Sequence, residues 1–216
     1  MAKDAIKEVL AKVKKDRVGY IDLQFTDFLG NIKNSTIPVY RLEDVMVKGA
    51  WIDGSSIEGF ARIHESDMFL MPDPATYAVM PWRNHVESGQ VARLVCDVYK
   101  PNGEPFEGDP RQILKSVLAQ AKKMGFDYLT GPECEFFLFP KKADGTVDRV
   151  SDGNGYYFNL VLDETYGIKR EIMEVLQSMG IRTETSTYEV AHNQHELDIH
   201  YTNALSMADN VITLKM

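Results

Sequence analysis

Val18-Gly19-Tyr20-Ile21-Asp22-Leu23-Gln24-Phe25, closed by Leu29-Gly30-Asn31, organises the first half of the chain. Ile21, Leu23 and Phe25 fall on one face, the period of a half-buried strand. Leu29-Gly30-Asn31 is turn chemistry, and a second strand over 32–39 completes a hairpin. Before the hairpin, residues 3–17 place Ile6, Val9, Leu10 and Val13 on one helical face, with Lys and Glu elsewhere. That is an amphipathic helix lying on a core, and it lacks the uninterrupted apolar run of about 7–15 residues that a signal peptide needs. After the hairpin, a short helix over 41–48 stops at Gly49, and extended segments follow near 67–71 and 76–82. A strand over 91–98 turns Leu94, Cys96 and Val98 inward. This part reads as a helix followed by a small, mostly antiparallel sheet.

Pro101-Asn102-Gly103 and Gly108-Asp109-Pro110 punctuate the chain next, so a domain boundary is expected near 102–108. The expected division is 1–104 and 105–216. Asp109 suits an N-cap and Pro110 a first helical residue. The stripe Ile113, Leu114, Val117, Leu118, Ala121 and Met124 then runs to Gly125. A strand is expected at 127–139, a polar, mobile loop at 140–155 and a strand at 156–162. A helix at 164–179 should turn Ile168, Ile172, Val175, Leu176 and Met179 inward. Strands near 182–189 and 195–201 follow. Leu205, Ala208, Val211 and Ile212 keep helical spacing up to Met216 with no stop signal, which predicts a chain cut within a helix.

The chain has 216 residues, 44% hydrophobic and 26% charged, enough for one or two domains with a real core. A net charge of −8 argues against nucleic acid as the primary partner. No run approaches the roughly 18 apolar residues of a membrane span. Two cysteines cannot build a disulfide framework, so a reducing cytoplasm is expected.

Three stretches carry candidate chemistry. Glu133 and Glu135 lie two apart in Gly131-Pro132-Glu133-Cys134-Glu135-Phe136-Phe137, so both carboxylates share one strand face. Two unpaired carboxylates beside aromatic residues are costly, and a hard cation such as magnesium or manganese would relieve the repulsion. Solvated glutamates on an edge strand are the plain alternative. Cys134 faces the other way, as a small apolar residue. Glu189 and Glu196, seven apart around His192 and His195, can be brought together by a loop, while Glu196, Asp198 and His200 alternate on one strand face. Taken alone, these read as an exposed polar strand. Asp53-Gly54-Ser55-Ser56-Ile57 is a small-residue loop that can present Asp53 to a cation or a reacting amine, or merely a surface turn.

Together, in this order, these stretches resemble the type I glutamine synthetase of bacteria and archaea. So do Glu58 to Met68, Pro72-Asp73, Pro81-Trp82, Gly155-Tyr156-Tyr157-Phe158 and Ala208-Asp209-Asn210. The resemblance implies an α+β chain: a small β-grasp-like N-terminal domain, then the first part of an α/β catalytic domain with a largely antiparallel sheet. It implies that one Mg2+ or Mn2+ is held by Glu135, Glu189 and Glu196. Glu133 would hold a second ion with residues beyond Met216. Asp53 would bind ammonium and take its proton, beside Ser56, Tyr157 and Glu189, and Glu184 would contact ATP. Arg62 would sense product; an ion pair with Glu58 or Glu65, worth roughly 0–1 kcal/mol, is its plain role. Partners implied are L-glutamate, ammonium and ATP, within a homo-oligomer of stacked rings, a dodecamer.

Phosphorylating glutamate's side-chain carboxylate turns a poor acyl donor into an acyl phosphate. Ammonium becomes a nucleophile only after losing a proton. A chain that is the N-terminal half of such an enzyme is expected to be inactive alone. A related glutamate–amine ligase and a non-catalytic, metal-binding paralogue are the competing readings. One departure stands out: the family's Glu-x-Ala-Pro-Gly-Gln is here Glu189-Val190-Ala191-His192-Asn193-Gln194, so another turn is possible there.

Overall fold

The computed structural model describes residues 2–55, 57, 67–83, 89–147, 156–160 and 164–216. Ser56 and Arg62, both given roles by the resemblance, lie outside these residues. The chain forms two compact units, Met1–Tyr128 and Leu129–Met216.

In the first unit, α1 (Ala2–Lys15) precedes β1 (Val18–Thr26) and β2 (Ile32–Pro38), the expected hairpin. Gly30 takes φ 79°, the left-handed value that glycine adopts without penalty. Asp27 fixes the turn by accepting from the Leu29 and Asn31 amides. Helix α2 (Leu42–Lys48) ends at Gly49 and leads into β3 (Ala50–Asp53). Strands β4 (Asp67–Pro72), β5 (Ala78–Val79) and β6 (Gln90–Tyr99) follow. The sheet order is β2-β1-β6-β4-β3, with β5 also on β6. All pairings are antiparallel except β1 with β6, which run parallel. Val9 and Val13 of α1 and Leu42, Val45 and Met46 of α2 pack on Ile21, Leu23, Leu70 and Leu94.

Helix α3 (Pro110–Lys123) departs from its sequence pattern. Its expected inward residues Ile113 and Val117 are 52% and 54% exposed. Polar contacts hold it instead. Asp109 caps the Arg111 amide and accepts the Val98 amide of β6, both at 2.9 Å. Buried Arg111 donates to Asp97 (2.6 Å) and Asp73 (2.7 Å), and Lys115 also pairs with Asp97. Burial pushes the Asp109 carboxyl up to about 6.

In the second unit, the expected long strand at 127–139 is two pieces, β7 (Leu129–Thr130) and β8 (Glu133–Phe137), broken at Gly131-Pro132. Proline supplies no ladder donor, which favours the break. No strand forms over 156–160; those residues turn, with Phe158 at φ 60°. The expected mobile loop at 140–155 is described only to 147, where Lys141 and Val147 bridge. Helix α4 (Glu164–Ser178) buries Leu176 but exposes Ile168 and buries Lys169, which sits 3.9 Å over the Tyr188 ring. β9 (Thr183–Tyr188), β10 (Gln194–Ile199), β11 (Thr202–Asn203) and α5 (Ala204–Lys215) complete it. β10 lies between β8 and β9, antiparallel to both, while β11 pairs with β7. Leu197, Ile199, Leu176, Ile181 and Met207 form its core.

Candidate active site: a carboxylate face on β8 and β10

Alternation sorts β10 into two faces. His195, Leu197 and Ile199 are buried, while Gln194, Glu196 and Asp198 turn to the open side. The register sets Glu196 directly opposite Glu135 and Asp198 opposite Glu133. Opposed residues of an antiparallel pair share a face, so four carboxylates form a two-by-two array. Like charges directly opposite one another are destabilising. The β8–β10 pairing therefore stands despite its side chains on this face.

The turn between β9 and β10 brings in the fifth acid. Glu189 donates its amide to the Gln194 carbonyl at 2.9 Å, and Gln194 donates back to the Ala191 carbonyl at 3.1 Å. The tight return brings the Glu189 side chain close enough to Glu196 to raise its carboxyl. Asn193 occupies the sharp point with φ 61°. Asparagine tolerates this left-handed conformation better than most non-glycine residues. The departure from Pro-Gly therefore keeps the returning turn.

Loss of hydration raises the Glu196 carboxyl to about 7; the Glu189 hydrogen bond and the charges of Asp198, Glu189 and Glu133 add to it. A carboxyl raised this far by the acids around it marks a place short of positive charge. The donors are hard oxygens, the kind that magnesium and manganese prefer. In chemistry, then, the residues fit a divalent cation. As they stand, no three His, Cys, Asp or Glu side chains among the described residues are gathered as a metal cage. Glu135, the third expected ligand, engages the Gln194 side-chain amide instead.

The other expected residues take these places. Tyr157 is exposed and packs edge-on against Phe158, 4.4 Å between centroids; the Phe158 amide reaches the Tyr188 carbonyl at 3.3 Å. The structure thus puts Tyr157 beside the end of β9, which leads into Glu189. Glu184, on β9, binds His200 Nδ1 and does not join the carboxylate array. Asp53 closes β3 in the first unit, exposed, with its Oδ1 accepting the Ser55 amide at 2.9 Å. His195 is a core residue, between the rings of Phe136 and Tyr188 at 5.8 and 4.6 Å. The Cys134 thiol is pushed up by burial, as suits an inert thiol. Sequence reading set no role for Gln194 or Asp198. For Asp198 the alternation with Glu196 was the signal; for Gln194 it was the glutamine retained at the end of the Glu189–Gln194 stretch.

A family model of the glutamine synthetase β-Grasp domain matches residues 17–101, and one of the glutamine synthetase catalytic domain matches residues 107–216. A glutamine synthetase of Halobacterium salinarum is 46% identical over 98% of this chain and 47% of its own length. One of Staphylococcus aureus is 47% identical over 97% of this chain and 47% of its own. The chain spans about half the length of these relatives. Among solved structures, a Plasmodium falciparum glutamine synthetase shares the fold with a TM-score of 0.81 at 22% identity, covering 100% of this chain and 47% of that one. The GmaS/ADP complex superposes with a TM-score of 0.78 at 25% identity, over 96% of this chain and 47% of that one. Matched by both domain models over nearly all its residues, the chain belongs to the glutamine synthetase family.

Proposed function

We propose that the protein ligates ammonia to L-glutamate at the expense of ATP, giving L-glutamine through a γ-glutamyl phosphate. The observation that carries this reading is the Glu189–Glu196 pair opposite Glu135, in the part matched by the catalytic-domain model. Glu135, Glu189 and Glu196 would hold one Mg2+ or Mn2+, and Glu133 would supply part of a second site. Bound there, such ions offset the charge of the transferring phosphate. Loading requires the Glu196 carboxyl to be ionised, so binding should weaken as pH falls below about 7. Asp53 binds ammonium and accepts its proton, and Ser56, Tyr157 and Glu189 are assigned to ammonium by the same family likeness. Glu184 takes part in nucleotide contact; the ADP seen with GmaS supports a nucleotide on this fold. Arg62 senses product.

The domain division at 1–104 and 105–216 belongs to the same reading, with α3 in the second domain by sequence although it packs within the first unit. A cytoplasmic location and assembly into stacked rings complete it. Among the described residues, no helix is long and apolar enough to cross a membrane.

The test uses the protein as encoded in full. Glutamine should form from glutamate, ammonium and ATP only with Mg2+ or Mn2+. Glu196→Ala should cut Mn2+ affinity beyond the roughly 10–100-fold lost when a mere neighbour of a ligand is removed. Native Mn2+ affinity in Glu196→Ala would sink the metal assignment. Light scattering on the same preparations tests the rings, and a monomer would exclude them.

A further inference from the structure

The Gln194 side chain touches both halves of the carboxylate site. Its Nε2 donates to Glu135 Oε2 on β8. Its Oε1 accepts the Ala191 amide at 3.1 Å, within the turn that carries Glu189. Its own main chain closes that turn twice, through the Glu189 amide and the Ala191 carbonyl. An amide is suited to this, because one end donates and the other accepts. A carboxylate at this position would repel Glu135, and an apolar side chain would hold neither group.

From this geometry we propose that Gln194 is a positioning residue for the divalent cation. It fixes Glu135 against the turn bearing Glu189, so that the three carboxylates meet the ion at set positions. The inference rests on the metal reading above. The turn itself is braced by the same contacts. With Asn193 at φ 61° in place of glycine, the Gln194 clamp holds the return in register. Groups that orient a metal's ligands typically govern affinity by 10–100-fold.

The experiment is a Mn2+ titration followed by electron paramagnetic resonance, on the protein as encoded in full. It compares native protein, Gln194→Met, Glu135→Ala and the double variant, with the metal-free thermal midpoint as a folding control. Gln194→Met, close in shape but without an amide, should weaken Mn2+ binding about tenfold in a protein that still unfolds cooperatively. In the Glu135→Ala background the same change should cost little more, because the group it positions has gone. Native affinity in Gln194→Met beside weakened Glu135→Ala overturns the positioning role and leaves the metal reading standing. Fully additive losses overturn it too. Native affinity in Glu135→Ala overturns the metal reading itself. If Gln194→Met does not fold, Gln194→Asn keeps the amide one carbon shorter. The same loss is expected there, and native affinity in it counts against the proposal.

Discussion

Asp53→Asn should depress turnover with ammonium by a factor of about 10²–10⁴, the usual cost of losing a general base. Turnover with hydroxylamine should fall far less. The substitution keeps size and the acceptor for the Ser55 amide, but removes the charge. A fixed anion favours the ammonium cation and accepts its proton; hydroxylamine is already largely neutral near pH 7. The measurement is product formation with each amine, at saturating glutamate and ATP, in the protein as encoded in full. An equal fall with both amines would reduce Asp53 to a loop-holding residue and shift the search for the base to Glu189.

The second large effect concerns stability. Arg111→Met should destabilise the protein by about 3–5 kcal/mol, the cost of stripping one partner from a buried ion pair. Arg111 is buried and joins Asp97 and Asp73 by direct hydrogen bonds. Its loss leaves Asp97 with Lys115 alone and Asp73 with no guanidinium. Lys122→Met, which breaks an exposed pair with Asp127, should cost roughly 0–1 kcal/mol. Urea unfolding of both variants separates the cases, and a loss below about 1 kcal/mol for Arg111→Met, the range of an exposed pair, would refute the first. Burial raises the Asp73 carboxyl, but hydrogen bonds from Arg111 and the Ala75 amide outweigh it, and the net shift is downward from 3.8. Its contribution is therefore present above pH 3.8 and lost as pH falls below it.

The two helices with buried polar anchors show where sequence periodicity stops informing. Alternation located the hairpin and both strands of the carboxylate face, because one buried face imposes a period of two. The stripe of α3 predicted apolar burial, yet Arg111 and Asp109 make its contacts, and hydrophobic spacing carries no record of such pairs. The same holds for α4, where Lys169 rather than Ile168 lies under cover. Glu133 and Glu135 were legible as a same-face pair from their spacing alone. That Glu196 stands opposite Glu135 depends on the register of β10 against β8, two segments about sixty residues apart in the chain. The part played by Gln194 depends on two hydrogen bonds to distant and local partners, invisible in a single chain of letters.

The parallel pairing of β1 with β6 also fixes an order of events during synthesis. The hairpin of β1 and β2 is available once residue 38 has emerged, but the free edge of β1 waits for residues 90–99. At about 5–20 residues per second, the intervening stretch takes roughly 3–10 s. Through that interval β1 offers a bare edge, joined by β4 once residue 72 has emerged, the kind of surface on which chains stick to one another. β6 enters between them as a keystone and closes both edges at once. Stalled nascent chains ending at residue 88 should be cut rapidly by protease, and those ending well past residue 108 slowly; equal rates would mean the sheet closes by another route. A lesion in β6 would thus harm the yield of folded protein before it harmed any property of the molecules that succeed.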